Sequence, residues 1–246
     1  MSLAGVGISL AATALSAVFT ATVARQYVQK RKMRSLWWSV GLGMFTLVAA
    51  TQLLAEVGGW SDPLFRTWYV LGTSLVGFLG AGSVYILDRR AGHAFTAYVV
   101  VLFVAFLAFA ATAATNPEAI AGYTQGTPPS GDGWATGSAV RRFSPFFTIP
   151  GSITLIGIAL YGFVRFRLPY TVWIAAGAAV LAVGTGLARF GIPSLIYGAE
   201  FAGIALMFVG FWRASEWAKA RAKTAPGAAP EPSEPVEVPV VEAASK

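Results

Sequence analysis

Long apolar segments alternate with short polar ones along most of the chain. Seven of the apolar segments carry few charges and run to about 20 residues, at approximately 3–25, 35–57, 64–87, 94–115, 147–165, 169–190 and 194–214. A stretch of that length crosses the hydrocarbon core of a bilayer as an α-helix. The pattern therefore predicts an all-α integral membrane protein with seven transmembrane helices, numbered here as spans one to seven.

The composition agrees with a membrane protein and excludes several other classes. Only 12% of the 246 residues are charged, about half the level of a soluble domain. The net charge of +7 does not indicate nucleic-acid binding, because the basic residues form short clusters between the spans. There is no cysteine, which excludes disulfides, thiolate metal ligands and cysteine nucleophiles. The expected partner is a lipid bilayer, that of the plasma (inner) membrane.

The distribution of basic residues predicts the orientation. The segments after spans one, three, five and seven hold thirteen Lys and Arg residues and two acids, whereas the opposite side holds four arginines and five acids. By the positive-inside rule, the N-terminus lies outside and the C-terminus inside. The basic cluster follows span one rather than preceding it, so span one is interpreted as a retained helix and not a cleaved signal peptide.

Two regions are predicted to lie outside the helices. Residues 116–146 contain the turn-forming sequence TPPSGDG and are expected to form a long, non-helical outer loop. Pro150–Gly151 is interpreted as the start of span five. Residues 224–246 are rich in Pro, Ala and Glu and are expected to be a disordered cytoplasmic tail, which leaves residues 1–223 as the transmembrane domain.

The two outer turns between spans two and three and between spans six and seven resemble each other. Leu54–Gly58 aligns with Leu187–Gly191, and after a two-residue deletion Leu64 and Gly72 align with Leu195 and Gly203. This alignment predicts two three-helix units, spans 1–3 and spans 5–7, joined by span four. Both units run in the same direction through the membrane, which makes this a parallel 3+1+3 repeat.

This plan resembles the sugar-exporter (SWEET) and PQ-loop transporters and, more broadly, the opsins. The resemblance is one of architecture, and no family is assigned. The Pro-Gln pair of the PQ-loop transporters is absent from this chain. Every lysine lies outside the spans, which excludes a retinal Schiff base within the bundle.

Charges inside the spans mark a candidate site at the outer end. A charged side chain in a transmembrane helix is costly and usually faces the interior of the bundle. Polar side chains at helical spacing accompany the charges, with Thr73 and Thr185 on the same faces. The proposed ligand-binding residues are Gln52, Glu56, Arg66, Tyr69, Arg189, Tyr197 and Glu200. Two alternatives remain open: these charges form structural salt bridges between helices, or they lie at the interface without partners.

The chain carries no recognisable catalytic or metal-binding motif. No His or acidic pair has metal-site spacing, and no nucleophile elbow or phosphate-binding loop is present. We expect no enzymatic activity, no metal and no cofactor. Three functions fit: a small-solute transporter with an outward-facing pocket between spans two, three, six and seven, a seven-helix sensor, or a non-catalytic subunit of a membrane complex. The sequence does not identify a protein partner or an oligomeric state.

Overall fold

The computed structural model describes residues 3–123, 131–189 and 195–223. Within these, the side chains of residues 3, 4, 185–189, 195, 219 and 221–223 are not described. The helices are α1 (Leu3–Lys30), α2 (Met33–Gly58), α3 (Asp62–Leu87), α4 (Arg89–Thr112), the short α5 (Pro117–Gly122), α6 (Ser144–Phe166), α7 (Tyr170–Arg189) and α8 (Leu195–Lys223). The predicted disordered tail, and the predicted turn containing Gly191 and Pro193, lie outside the described residues.

The described helices are compatible with a membrane helical bundle. Five of them are long and apolar enough to cross a bilayer: Gly5–Lys30, Met33–Gly58, Asp62–Leu87, Arg89–Thr112 and Ala139–Phe166. Tyr170–Gly184 is a shorter apolar helix. These features are those of a polytopic membrane protein. The count of seven spans, the orientation and the identity of the membrane stay predictions.

Local sequence explains where α2 ends and α3 begins. The predicted turn is present: α2 ends at Gly58, and Gly59 adopts a φ of 80°, a left-handed conformation that favours glycine. Pro63 lies in the first turn of α3. Backbone N–H groups there have no acceptor within the helix, so the absence of an N–H in proline costs no hydrogen bond. The N-cap is Ser61, and Asp62 is already the first helical residue.

Six helices form a closed ring. In spatial order they are α1, α2, α3, α6, α7 and α8, and α8 returns to contact α1. Each contributes apolar side chains to one central core, which includes Phe19, Leu42, Leu79, Leu155 and Met207. Burial of these side chains closes the middle of the ring. The ring therefore has two ends, separated by a packed apolar layer.

Helix contacts within the two halves of the ring follow the sequence alignment. A methyl group added at Gly41 of α2 would lie 2.8 Å from Leu79 Cγ of α3. In the second half, Gly41 aligns with Ile174 of α7 and Leu79 aligns with Gly210 of α8. A methyl group at Gly210 would lie 2.8 Å from Ile174 Cγ1.

A second pair of contacts repeats in the same way. Gly72 faces Val48 in the first half, and the aligned Gly203 faces Leu181 in the second. The contacting pairs are therefore aligned in the two halves, and each pair contains one glycine that lets its helices approach closely. These matches favour the predicted repeat.

Helix α4 lies outside the ring, against α3. It also forms a hydrogen bond to α6, one turn before Pro150. Pro150 lies inside α6 and not at its start. The interpretation of Pro150–Gly151 as a helix start is therefore wrong, because Pro145 occupies the first turn instead. Pro150 has no N–H to donate to the Phe146 carbonyl one turn earlier. The Tyr98 hydroxyl of α4 donates to that carbonyl instead, at 2.8 Å.

The segment after α4 is structured, contrary to the expectation of a non-helical loop. It contains α5 and two short 3-10 turns, Gly131–Gly133 and Ala139–Phe143. Asn116 accepts a hydrogen bond from Ala119 N and so caps α5. Trp134 is buried and packs on the rings of Phe65 and Tyr69 of α3. We call the described part of this segment, residues 113–123 and 131–143, the outer cap.

Candidate functional site

Four of the predicted site residues meet where α2 faces α8. Gln52 and Glu56 lie one turn apart near the end of α2, and Tyr197 and Glu200 lie one turn apart near the start of α8. Gln52, Glu56 and Tyr197 are 1%, 1% and 4% exposed, and Glu200 is half-buried. We call these four residues the α2–α8 cluster.

The side chains of the α2–α8 cluster face each other in pairs. The Tyr197 hydroxyl faces the Glu56 carboxylate and lies within electrostatic reach of Glu200. The Gln52 amide faces the Glu200 carboxylate. Among the described residues, however, neither Gln52 Nε2 nor the Tyr197 hydroxyl has a partner at hydrogen-bonding geometry. Two deeply buried hydrogen-bonding groups thus face the carboxylates of the cluster without reaching hydrogen-bonding geometry.

Arg66 does not join this cluster, because closer partners hold it elsewhere. Its Nε donates to Asp62 Oδ2 at 2.7 Å. Its two terminal nitrogens donate to the carbonyls of Ala110 and Ala113, at the C-terminus of α4. A cation at that position also interacts favourably with the helix dipole. Arg66 therefore joins α3 to α4, and no salt bridge connects it to Glu56.

Asp62 extends this second group of polar residues to the outer cap. Its other carboxylate oxygen, Oδ1, accepts a hydrogen bond from Thr115 Oγ1 at 2.6 Å. The Arg66 guanidinium lies 5.3 Å from the centre of the Trp134 ring, a cation–π distance. We call Asp62, Arg66 and Thr115 the α3–cap cluster.

Tyr69 and Arg189 complete the predicted set. Tyr69 lies on the side of α3 that faces the outer cap, with its ring 5.6 Å from that of Trp134 and 6.4 Å from that of Phe106. The structure thus places Tyr69 beside the α3–cap cluster. Arg189 is the last residue of α7, and its side chain lies outside the described atoms. Its predicted role at the site stays a prediction.

The chemistry of the α2–α8 cluster suits a small polar ligand. Each carboxylate offers acceptor oxygens, while the amide nitrogen and the hydroxyl offer donors. A buried donor without an acceptor costs about 1–3 kcal/mol. A molecule that carries both donor and acceptor groups would satisfy Gln52 and Tyr197 at the same time.

Sequence reasoning missed Ser9 of α1. Ser9 is buried, and its hydroxyl has no hydrogen-bond partner among the described residues. By the helical rise, Ser9, Gln52 and Glu200 all lie roughly 8–9 Å from the ends of their helices. Helix α1 packs between α2 and α8, so Ser9 is at the level of the cluster. The sequence feature that could have revealed Ser9 is a row of polar residues at helical spacing along α1: Ser9, Thr13, Ser16 and Thr20.

Comparisons with protein-family models, with curated proteins and with solved structures found no significant match.

Proposed function

We propose that the protein carries a small polar solute across a membrane and binds it at the α2–α8 cluster. The observation that carries the proposal is the pair of unsatisfied, buried donors, Gln52 Nε2 and the Tyr197 hydroxyl, which face two carboxylates. Buried polar groups in proteins are nearly always paired. A solute with donor and acceptor groups, such as a polyol or an amino compound, would supply the missing bonds.

The position of the cluster supports transport over simple binding. Gln52 and Glu56 belong to the first three-helix unit, whereas Tyr197 and Glu200 belong to the second. In transporters built from repeats, substrate binds at the interface between the repeats, and movement of one repeat against the other exposes the site alternately to each side. A solute held between α2 and α8 would couple to such a movement.

The apolar core of the ring fits a carrier better than a channel. Phe19, Leu42 and Met207 are fully buried below the cluster and close the path along the ring axis. A solute would therefore cross only when the two units move. This predicts saturable flux, with a rate that levels off as the solute concentration rises.

Uptake into liposomes tests the proposal. The full chain is reconstituted, and uptake of radiolabelled polyols, sugars, amino acids and amines is compared with that of empty liposomes. We expect saturable uptake of at least one class. Tyr197→Phe and Gln52→Leu should each reduce that uptake at least tenfold, because each removes one donor to the bound solute.

Tyr27→Phe serves as the matched control, because Tyr27 lies near the opposite end of α1 and takes part in a cation–π contact with Arg31. Liposomes containing the Tyr27→Phe variant should take up the solute as fast as those containing the wild type. Absence of uptake for every class, together with stabilisation by one solute, would favour the sensor. Co-purification of a stoichiometric partner chain would favour the complex subunit. Uptake that survives both cluster substitutions would contradict the site.

A further inference from the structure

A groove between α4 and α6 lies away from the candidate site. The two helices touch through Phe106 and Phe147, whose ring centres are 5.7 Å apart, and through the Tyr98–Phe146 hydrogen bond. Towards the start of α4 they separate and leave a cavity of about 650 Å³ over the end of α3. Its lining includes Ala91, Ala94 and Phe95 of α4, and Ile153, Ile158 and Tyr161 of α6.

The groove is apolar and opens on the side of the bundle. Ile153 and Tyr161 are 66% and 47% exposed, so the groove faces the surroundings of the bundle and not the ring interior. The Thr154 hydroxyl donates to the Pro150 carbonyl of its own helix, at 2.8 Å. A shallow, apolar and laterally open groove suits an acyl chain.

Two arginines stand at one mouth of this groove. Arg90 lies one turn before Ala94 on α4, and Arg165 lies one turn after Tyr161 on α6. Residues four apart share a helix face, so each arginine continues the row of side chains that lines the groove. Both arginines are exposed. Long basic side chains at helix ends extend to the level of lipid headgroups.

Neighbouring polar groups at this mouth are engaged locally. Asp88 accepts a hydrogen bond from the Ala91 N–H and caps α4. His93 is contacted by the Tyr85 hydroxyl at 2.9 Å and by Arg89 Nε at 3.4 Å. Among the described residues, Arg90 and Arg165 form no salt bridge. The Arg165 guanidinium lies 5.9 Å from the centre of the Phe166 ring, a cation–π contact that leaves its N–H donors for an anion.

We propose that this groove binds one anionic phospholipid, with an acyl chain between α4 and α6 and the phosphate between Arg90 and Arg165. Charge complementarity at the mouth favours an anionic headgroup, and basic pockets between transmembrane helices are known lipid sites. The lateral opening favours a lipid over a soluble phosphate, because a lipid reaches the groove from within the bilayer. This site is independent of the α2–α8 cluster.

Native mass spectrometry of the full chain in mild detergent tests the proposal. Delipidated protein is titrated with phosphatidylglycerol, phosphatidylcholine or soluble glycerol 3-phosphate. We expect tighter retention of phosphatidylglycerol than of phosphatidylcholine, and no retention of glycerol 3-phosphate. The double substitution Arg90→Gln/Arg165→Gln should weaken phosphatidylglycerol binding roughly fivefold for each arginine and leave phosphatidylcholine unchanged.

A second variant tests the groove itself. A methyl group added at Gly157 has no atom within 4 Å, so Gly157→Leu fills the groove without a clash and should reduce binding of both lipids. The matched controls lie on α1: Gly7→Leu, which also meets open space, and Arg25→Gln/Lys30→Gln. Wild-type retention of phosphatidylglycerol by both groove variants, or equal retention of glycerol 3-phosphate, would overturn the proposal.

Discussion

The α3–cap cluster and the α2–α8 cluster lie at the same end of the bundle, and both contain carboxylates. In the α3–cap cluster, each nitrogen of the Arg66 guanidinium has an acceptor, and both oxygens of Asp62 have a donor. In the α2–α8 cluster, Gln52 Nε2 and the Tyr197 hydroxyl lack partners among the described residues.

This difference separates a structural role from a binding role. A polar group whose bonds are all made within the protein stabilises the fold, and a ligand would have to break those bonds. A buried donor without an acceptor destabilises the fold, and a bound ligand with an acceptor group would remove that cost. The α3–cap cluster is therefore expected to respond to substitution through stability, and the α2–α8 cluster through solute flux.

Arg66→Met should have the largest effect on stability. Methionine keeps much of the side-chain volume but removes the bonds to Asp62, Ala110 and Ala113. We expect a loss of about 3 kcal/mol in the free energy of unfolding, because charge-assisted hydrogen bonds to the end of α4 disappear. Denaturant titration in mixed micelles measures it. An Arg66→Met protein that unfolds like the wild type but has lost flux would show that Arg66 acts in solute binding and not in stability.

Two tyrosine substitutions should differ in their effect on stability. Tyr98→Phe leaves the Phe146 carbonyl without its donor and should cost about 1–2 kcal/mol. Tyr197→Phe removes a hydroxyl that has no described partner, and should leave stability unchanged or raise it by about 1 kcal/mol. The same denaturant titration compares them. A Tyr197→Phe protein less stable than Tyr98→Phe would indicate that Tyr197 has a structural role.

Thr115→Val should have the smallest effect. It removes only the bond to Asp62 Oδ1, and Asp62 keeps its bond to Arg66 and remains partly exposed to solvent. We expect a loss of about 0.5–1 kcal/mol in the free energy of unfolding, with unchanged flux. Protease susceptibility of the outer cap provides a second measurement. A loss as large as that of Arg66→Met would mean that Thr115, not Arg66, holds the cap.

Much of the helical architecture could be predicted from the sequence, because apolar length and turn residues are local signals. The α2–α3 turn at Gly58–Gly59 follows from glycine alone. The start of α6 was misplaced, since Pro145 and Pro150 carry the same local signal, and packing against α3 and α4 decides which one opens the helix. The structure of the outer cap depends on burial of Trp134, a contact between distant segments that no local pattern reveals.

The candidate site could be predicted only in part. Helical spacing grouped Gln52 with Glu56 and Tyr197 with Glu200, and the structure places these two pairs opposite each other. Charge alone suggested that Arg66 would join them. Arg66 instead binds backbone carbonyls of α4. Every residue has a backbone carbonyl, so the sequence does not reveal this partner. Ser9 was missed because serines are common in apolar helices. Only the structure shows that Ser9 is buried at the level of the α2–α8 cluster.

The hydrogen bond between Tyr98 and the carbonyl freed by Pro150 has a consequence for biogenesis. Helix α4 emerges from the ribosome before α6, so its hydroxyl enters the bilayer before its acceptor exists. The bond forms only after α6 has inserted, and in lipid no water competes for either group. The proline therefore sets an order of assembly: this contact between α4 and α6 forms only once α6 has entered the bilayer beside α4.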